Sequence, residues 1–366
     1  MLNFFFSSVI YRNILGLITS KNLTKLYNFG FILLLFWIIQ IISGVLLAFS
    51  YQNLLSLSSY FLVSEFIDIQ GLFIVRGIHI SGTSTIFFCM YLHMFKIFIH
   101  IIGEQRHYLT YVIGIILYVL TVIIAFLGYV LPCSQMSYWG LTVFWNILAA
   151  VPLLGPLILF WFWGAEFICD NTLSKVLTLH IFLPTLSFLI ILAHLIALHL
   201  TSSSDSLSDR GTTSSENIFF FSYTFIRDIF AIILLFLFVL YMILIYWDFV
   251  FHEESFIFAS ITSTPEKIIP EWFFLTFFGL IKCIPYKFIG IIILVSVLTL
   301  IFTGFFLTIS KWYSIRNIHI NKFMCIMKLI YIIGMCSTAV NLTYPVLELL
   351  RIAVLFIIIT YSVKIC

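Results

Sequence analysis

His79 and His93 stand fourteen residues apart in one apolar run, and His180 and His194 stand fourteen apart in another. At about 1.5 Å of rise per residue, fourteen residues advance a helix by about 21 Å and nearly four turns. The members of a pair therefore share a face, about 40° apart, one towards each side of a bilayer. Two such helices side by side present two stacked His/His sites, the geometry needed to hold two haems across a membrane. Two neutral imidazoles can ligate each iron axially, giving low-spin b-type centres that transfer electrons rather than bind oxygen. An isolated intramembrane histidine is more often a hydrogen-bonded or pathway residue; two equal pairs favour ligation.

The helices that must frame these ligands carry a matching signal. Gly30 and Gly44 lie fourteen apart in the first apolar run, and Gly114 and Gly128 lie fourteen apart in the third. Glycine weakens a helix, so its presence asks for close backbone approach. A flat macrocycle wedged between helices requires that approach; contact between helices through small residues is the alternative. Arg76 lies one turn from His79, and Lys96 lies just beyond His93. Either can pair with a haem propionate, though Lys96 and Arg106 serve equally as anchors at the membrane edge.

The chain has 366 residues, 63% of them hydrophobic and only 9% charged, with 42 phenylalanines and a mean hydropathy of +1.18. A water-soluble chain carries about 25% charged residues, so this is an integral membrane protein. Strand alternation is absent, so its spans are helices. We read them at 28–50, 72–101, 108–131, 171–200, 218–247, 286–309, 323–342 and 345–364. The expected architecture is all-α, with eight transmembrane helices and a four-helix di-haem bundle. Residues 1–217 form the bundle with its N-terminal segment, and 218–366 form a second unit of membrane helices. With the ends and the loops after the second, fourth and sixth spans on the negative side, that side holds twelve of eighteen Lys/Arg. This asymmetry follows the positive-inside rule.

Residues 132–170 and 248–285 do not span, being interrupted by Pro132, Pro152 and Pro156 and by Pro265, Pro270 and Pro285. Both face the positive side, and such interfacial segments often line a pocket. The seven cysteines form no CxxC or CxxCH, which argues against an iron–sulfur cluster or covalent haem within the chain. The charges are not clustered, so nucleic acid is not an expected partner. The N-terminus lacks a cleavable signal. A chain this apolar without an import presequence is most simply inserted within a mitochondrion, with a bacterial plasma membrane as the alternative.

At these residues the chain resembles the cytochrome b family, the quinol-oxidising membrane subunits of the cytochrome bc1 complex. The resemblance is carried by Tyr27-Asn-Phe-Gly30, Gly128-Tyr-Val-Leu-Pro132, Gln135-Met-Ser-Tyr-Trp-Gly140 and Pro270-Glu-Trp-Phe273. The last two spans match in hydrophobicity alone. The resemblance implies two non-covalent b haems, of low potential at His79/His180 and of high potential at His93/His194. It implies quinol oxidation near the positive side, in a pocket built from the two interfacial segments. One electron then passes to a mobile Rieske iron–sulfur protein, and the other crosses the membrane to reduce quinone near the negative side. Glu271 resembles the carboxylate that accepts a quinol proton, and Phe126, Tyr129 and Gly140 match positions lining its pocket. His199, Asp228 and more weakly Ser203 match the quinone-reduction site.

The implied activity is quinol–cytochrome c oxidoreduction by the complex and not by the chain alone. The implied partners are the Rieske protein, cytochrome c1, other complex III subunits and membrane lipid, in a dimer of complexes in the mitochondrial inner membrane. Four departures from the family pattern stand out. Cys133-Ser134 replaces Trp-Gly, Leu141 replaces alanine, Phe278 replaces tyrosine, and Lys96 replaces arginine. The first three are expected to cluster at the oxidation pocket and alter its inhibitor sensitivity. The rival reading is a haem-free proton-coupled transporter with the histidines and Asp228 as its pathway.

Overall fold

The computed structural model describes residues 18–20, 28–56, 71–100, 107–165, 167–201, 217–219, 225–250, 253–282 and 286–296. In chain order the elements are β1 (Ile18–Ser20), α1 (Phe29–Ala48), α2 (Leu72–His100), α3 (Tyr108–Val130), α4 (Gln135–Leu148), α5 (Leu154–Trp163), α6 (Asp170–Thr201), β2 (Asn217–Phe219), α7 (Phe225–Ile245), α8 (Trp247–Val250), α9 (Leu275–Lys282) and α10 (Lys287–Ser296). Two 3₁₀ turns, Glu253–Phe256 and Trp272–Phe274, lie before α9. Among the described residues five helices are long and apolar enough to cross a membrane: α1, α2, α3, α6 and α7. Large apolar side chains stay at their surface, among them Leu189 (60% exposed), Ile196 (62%), Phe230 (63%) and Phe238 (57%). Lipid is the solvent that tolerates such a face, and the helical backbone is the form that satisfies its own polar groups there.

The all-α expectation holds, with one addition. β1 and β2 pair antiparallel, Thr19 opposite Ile218, and α7 begins only at Phe225. The fifth span was expected from residue 218; the aromatic and β-branched residues that follow the polar run there suit an extended strand as well as a helix. The spans read at 323–342 and 345–364 lie outside the described residues, as does most of 286–309.

Four helices form two tight pairs, α1 along α2 and α3 along α6. At mid-depth Ile32, Phe36 and Trp37 of α1, Ile86 and Cys89 of α2 and Ile124 of α3 join one buried cluster, closed by Ile232, Val239 and Ile243 of α7. The residues seven positions in from the ligands and glycines, Trp37, Ile86, Thr121 and Ser187, are all buried. Thr121 donates to Leu117 O at 2.8 Å and Ser187 to Pro184 O at 2.8 Å, each within its own helix. A buried layer of uncharged side chains thus lies between the two histidine levels.

Over the positive-side end, α4 and α5 pack on the ends of α3 and α6. Their core joins Leu127, Val130, Cys133, Tyr138, Leu141, Trp145, Phe162 and Leu173. The second interfacial segment is clamped onto the first. Gln135 Nε2 donates to Ser263 O at 2.6 Å, Ser260 N–H donates to Gln135 Oε1 at 2.7 Å, and Trp139 Nε1 donates to Ser260 O at 3.1 Å. Ser134 and Phe258 form an isolated bridge beside them.

Candidate functional site

Each histidine faces one of the four glycines. A Cβ built on Gly44 would stand 3.1 Å from His79 Cε1, and one on Gly128 would stand 2.5 Å from His180 Cε1. On the other level, Gly30 meets His93 Cε1 at 3.2 Å and Gly114 meets His194 Cε1 at 3.2 Å. The glycine spacing was read as room for a macrocycle; among protein atoms, the near neighbour of each glycine is the imidazole ring. The physical reason is helix geometry. A side chain at position i leans back over the preceding turn, so a glycine there uncovers the carbonyl at i−4. His180 Nδ1 meets that carbonyl, Ile124 O, at 3.0 Å. His79 faces the backbone of Gln40 and His194 that of Thr110, in the same i−4 relation, although His194 Nδ1 closes no hydrogen bond.

These contacts bear on the tautomers, with His180 constrained by a carbonyl and His79 matched by a hydroxyl. Ile124 O can only accept, so His180 carries its proton on Nδ1. His79 Nδ1 lies 2.9 Å from Ser43 Oγ, whose single hydrogen is directed to Ile39 O (2.8 Å) and Gln40 O (3.2 Å). With its hydrogen on Ile39 O, Ser43 Oγ is free to accept from a His79 ring protonated on Nδ1. So protonated, both rings are left with a bare Nε2, the form that coordinates a metal.

The ring centroids of His79 and His180 lie 6.2 Å apart at an interplanar angle of 80°. Two metal–imidazole bonds of about 2 Å, each with about 1 Å from nitrogen to ring centre, span about 6 Å. The pair is therefore spaced so that both imidazoles would hold one metal ion between them. Among the described residues no group of three or more His, Cys, Asp or Glu converges to hold a metal. An ion at His79/His180 thus suits one that brings its remaining ligands in a macrocycle, as haem iron does.

A cavity of about 420 Å³ opens beside this pair, and its lining includes His79, His180, Arg76, Tyr129, Ser134 and Glu271. The volume lies within the usual range for small-molecule sites, about 300–1,000 Å³. Arg76, 5% exposed, sets its guanidinium 5.6 Å from the centre of the Phe256 ring, a cation placed to meet an anionic group in the cavity. Glu271 is positioned by the aromatic residues that follow it. The Phe273 ring stacks on Phe87 of α2 at 4.2 Å and 4°, and Trp272 Nε1 donates to Ser84 Oγ at 3.4 Å. Phe274 N–H closes the turn onto Glu271 O at 2.8 Å. Tyr129, at the end of α3, interacts electrostatically with both Glu271 and Glu254. At the rim, Tyr51 donates to Leu131 O at 2.7 Å, and burial pushes its phenol above the ordinary value, so it stays a donor.

The other expected pocket residues stand one layer back. Gly140 abuts the Tyr129 ring, 3.3 Å from a built Cβ to Cε1, and Phe126 packs on Phe144 (4.4 Å) and Phe274 (6.0 Å). The departures at Cys133-Ser134, Leu141 and Phe278 do not cluster at the cavity as expected. Ser134 lines it, whereas Cys133 and Leu141, 2% and 1% exposed, belong to the apolar core beneath α4, and Phe278 is not among the lining residues. The Cys133 and Leu141 side chains fill packing volume between α3 and the interfacial helices.

On the negative side, Asp228 sits in the first turn of α7, 3% exposed, with an Oδ1 that accepts no hydrogen bond. His199 is exposed near the end of α6. Ser203 and the Lys96 side chain lie outside the described residues. Sequence reasoning missed Ser43, Gln40, Thr83 and Ser84. Ser43 had a signal: it precedes Gly44, whereas the residues before Gly30, Gly114 and Gly128 are Phe29, Ile113 and Leu127.

Comparison with known proteins agrees with this geometry. The sequence profile of the cytochrome b/b6/petB family matches residues 14–202, and that of the cytochrome b (C-terminal)/b6/petD family matches residues 258–359. The chain is 39% identical over 341 residues to cytochrome b of Leishmania tarentolae, covering 92% of each chain. It is 42% identical over 294 residues to cytochrome b of Trypanoplasma borreli, covering 80% of this chain and 79% of that one. A solved chain of a hyperthermophilic respiratory complex III shares its fold, with a TM-score of 0.89 at 24% identity over 100% of this chain and 98% of that one. With two profiles covering most of its length and close relatives along nearly all of it, the chain belongs to the cytochrome b family, whose members bind haem.

Proposed function

We propose that this chain is the membrane electron-transfer subunit of a cytochrome bc1 complex, oxidising quinol at the positive-side cavity and delivering electrons to quinone at the negative side. The observation that carries this reading is the shared cavity: two Nε2-presenting imidazoles 6.2 Å apart line the same space as Glu271, Tyr129 and Arg76. His79 and His180 would hold one b haem, and His93 and His194 a second. When bound, they supply two one-electron couples at the two depths of the bilayer.

The chain's own residues supply the rest. Oxidation of a quinol releases two electrons and two protons. Glu271, held at the cavity by its stacked Phe273, is placed to accept a proton from a hydroxyl there. Tyr129 offers a hydroxyl beside it. Arg76 holds a fixed positive charge near the cavity and favours an anion. The apolar walls exclude water, so proton exchange must pass through these groups. Asp228 and His199 are the groups proposed to deliver protons to quinone at the other side. Phe126 and Gly140 shape the oxidation pocket from behind.

Residues 1–217 would form the haem bundle and 218–366 the second unit, a division in keeping with the two matched profiles. The chain carries no cysteine set for an iron–sulfur cluster or covalent haem, so Rieske and cytochrome c1 partners would take the electrons. The family's kinship supports placement in a mitochondrial inner membrane, in a dimeric complex. The transporter alternative is not favoured, since it gives no reason for the glycine-faced histidines.

The test is a dithionite-reduced minus oxidised absorption spectrum of the purified complex, quantified for haem per chain. Two b-type haems are expected, one still reducible by quinol when the positive-side cavity is blocked. A haem-free chain would overturn the reading.

A further inference from the structure

The four ligand histidines stand against alike glycines, yet the outer nitrogen of His180 meets a backbone carbonyl, that of His194 closes no hydrogen bond, and that of His79 meets a side-chain hydroxyl, Ser43 Oγ. Ser43 is 5% exposed, so water does not substitute for it. Its hydrogen is directed to Ile39 O and Gln40 O, which polarises the oxygen and makes it a better acceptor for His79 Nδ1–H. The neighbouring turn is fixed as well. Thr83 Oγ1 donates to His79 O at 2.9 Å and reaches Gln40 Oε1 at 3.3 Å, while Gln40 Nε2 donates to Ile78 O at 3.4 Å. The ring is thus held in place from its backbone and from its outer nitrogen.

We infer that Ser43 is a positioning residue that fixes the Nδ1–H tautomer of His79 and, through that hydrogen bond, lowers the reduction potential of the metal centre at the positive-side level. This rests on the haem reading above. The physical cause is that an acceptor at the outer N–H raises the basicity of the coordinating nitrogen. A more basic ligand stabilises ferric iron over ferrous iron, which lowers the potential. Such a bias suits the level that must pass its electron onward to a second centre.

The test uses the whole complex carrying Ser43→Ala and Ser43→Thr, with redox titration of both haems and low-temperature electron paramagnetic resonance of the low-spin ferric signals. In S43A the positive-side midpoint should rise and its ferric signal should move, while the negative-side haem stays unchanged. S43T, which keeps a hydroxyl, should return both towards the parent values. If S43A loses the positive-side haem, Ser43→Cys, a weaker hydrogen-bonding partner, replaces it in the titration: a raised midpoint upholds the inference and an unmoved one overturns it. Two haems in S43A with unmoved midpoints would overturn it, as would equal shifts in S43A and S43T, which would indicate side-chain volume. A parent complex without haem would instead overturn the functional reading on which it rests.

Discussion

The two histidine levels are built on one plan and finished differently. At the positive-side level both outer nitrogens are tied, His79 to Ser43 and His180 to Ile124 O, and a cavity with a carboxylate, a phenol and a guanidinium opens beside the rings. At the negative-side level the glycines again stand 3.2 Å from the rings, but His194 Nδ1 closes no hydrogen bond. Glycine spacing therefore sets where a ligand ring can lie, and the atoms around the outer nitrogen and the adjoining cavity set what that ligand does. A repeated scaffold has been given two different surroundings by residues outside the repeat.

The largest test of this contrast removes a ligand from one level. His180→Leu should lower the haem content from two to one and abolish quinol oxidation at the positive side. His194→Leu should also remove one haem but leave quinol oxidation by the first centre measurable in a single turnover. Identical spectra and single-turnover behaviour of the two variants would erase the distinction. Next, Glu271→Gln should slow quinol oxidation by about 10²-fold with both haems retained, because a positioned proton acceptor contributes on that order. Unchanged steady-state turnover would remove Glu271 from the mechanism.

Gly128→Ala and Gly114→Ala compare the two cradles directly. The added Cβ would stand 2.5 Å from His180 Cε1 in the first case and 3.2 Å from His194 Cε1 in the second. Overpacking costs about 1–3 kcal/mol, and it should fall mainly on G128A, read as a larger loss of haem on mild heating. The reverse order would mean that the positive-side helices yield more easily than the negative-side ones. The smallest effect is expected at the clamp. Gln135→Ala removes two bonds to the second interfacial segment, each worth about 1 kcal/mol net. It should speed proteolysis near 257–263 while leaving haem content unchanged.

Much of this arrangement was readable in the sequence. The spans expected at 28–50, 72–101, 108–131 and 171–200 correspond to Phe29–Ala48, Leu72–His100, Tyr108–Val130 and Asp170–Thr201. Hydropathy of this strength leaves the boundaries little freedom. The histidine and glycine periods placed the two histidine levels because both are functions of helical rise. What the period could not say is which atom each glycine meets, since that depends on the rotation of a neighbouring helix. The Gln135 clamp joins residues more than 120 positions apart, and no local signal foretells such a pair. Leu141 was misplaced for a related reason: a motif gives order along the chain, while the facing of an interfacial helix decides which side chains reach the cavity.

The buried layer around Trp37, Ile86, Thr121 and Ser187 has an electrical consequence. None of the four residues is ionisable, and both hydroxyls are bonded within their own helices. Between two electron-carrying centres such a layer would act as the dielectric of a capacitor. The ligand levels lie about 21 Å apart along the helices, roughly two-thirds of a hydrocarbon core of about 30 Å. A transmembrane voltage of about 100 mV would then bias electron sharing between the two levels by about 1.5 kcal/mol, close to tenfold. The voltage that the complex builds would hold electrons back on the positive-side centre, making it a gauge of how fully the membrane is charged.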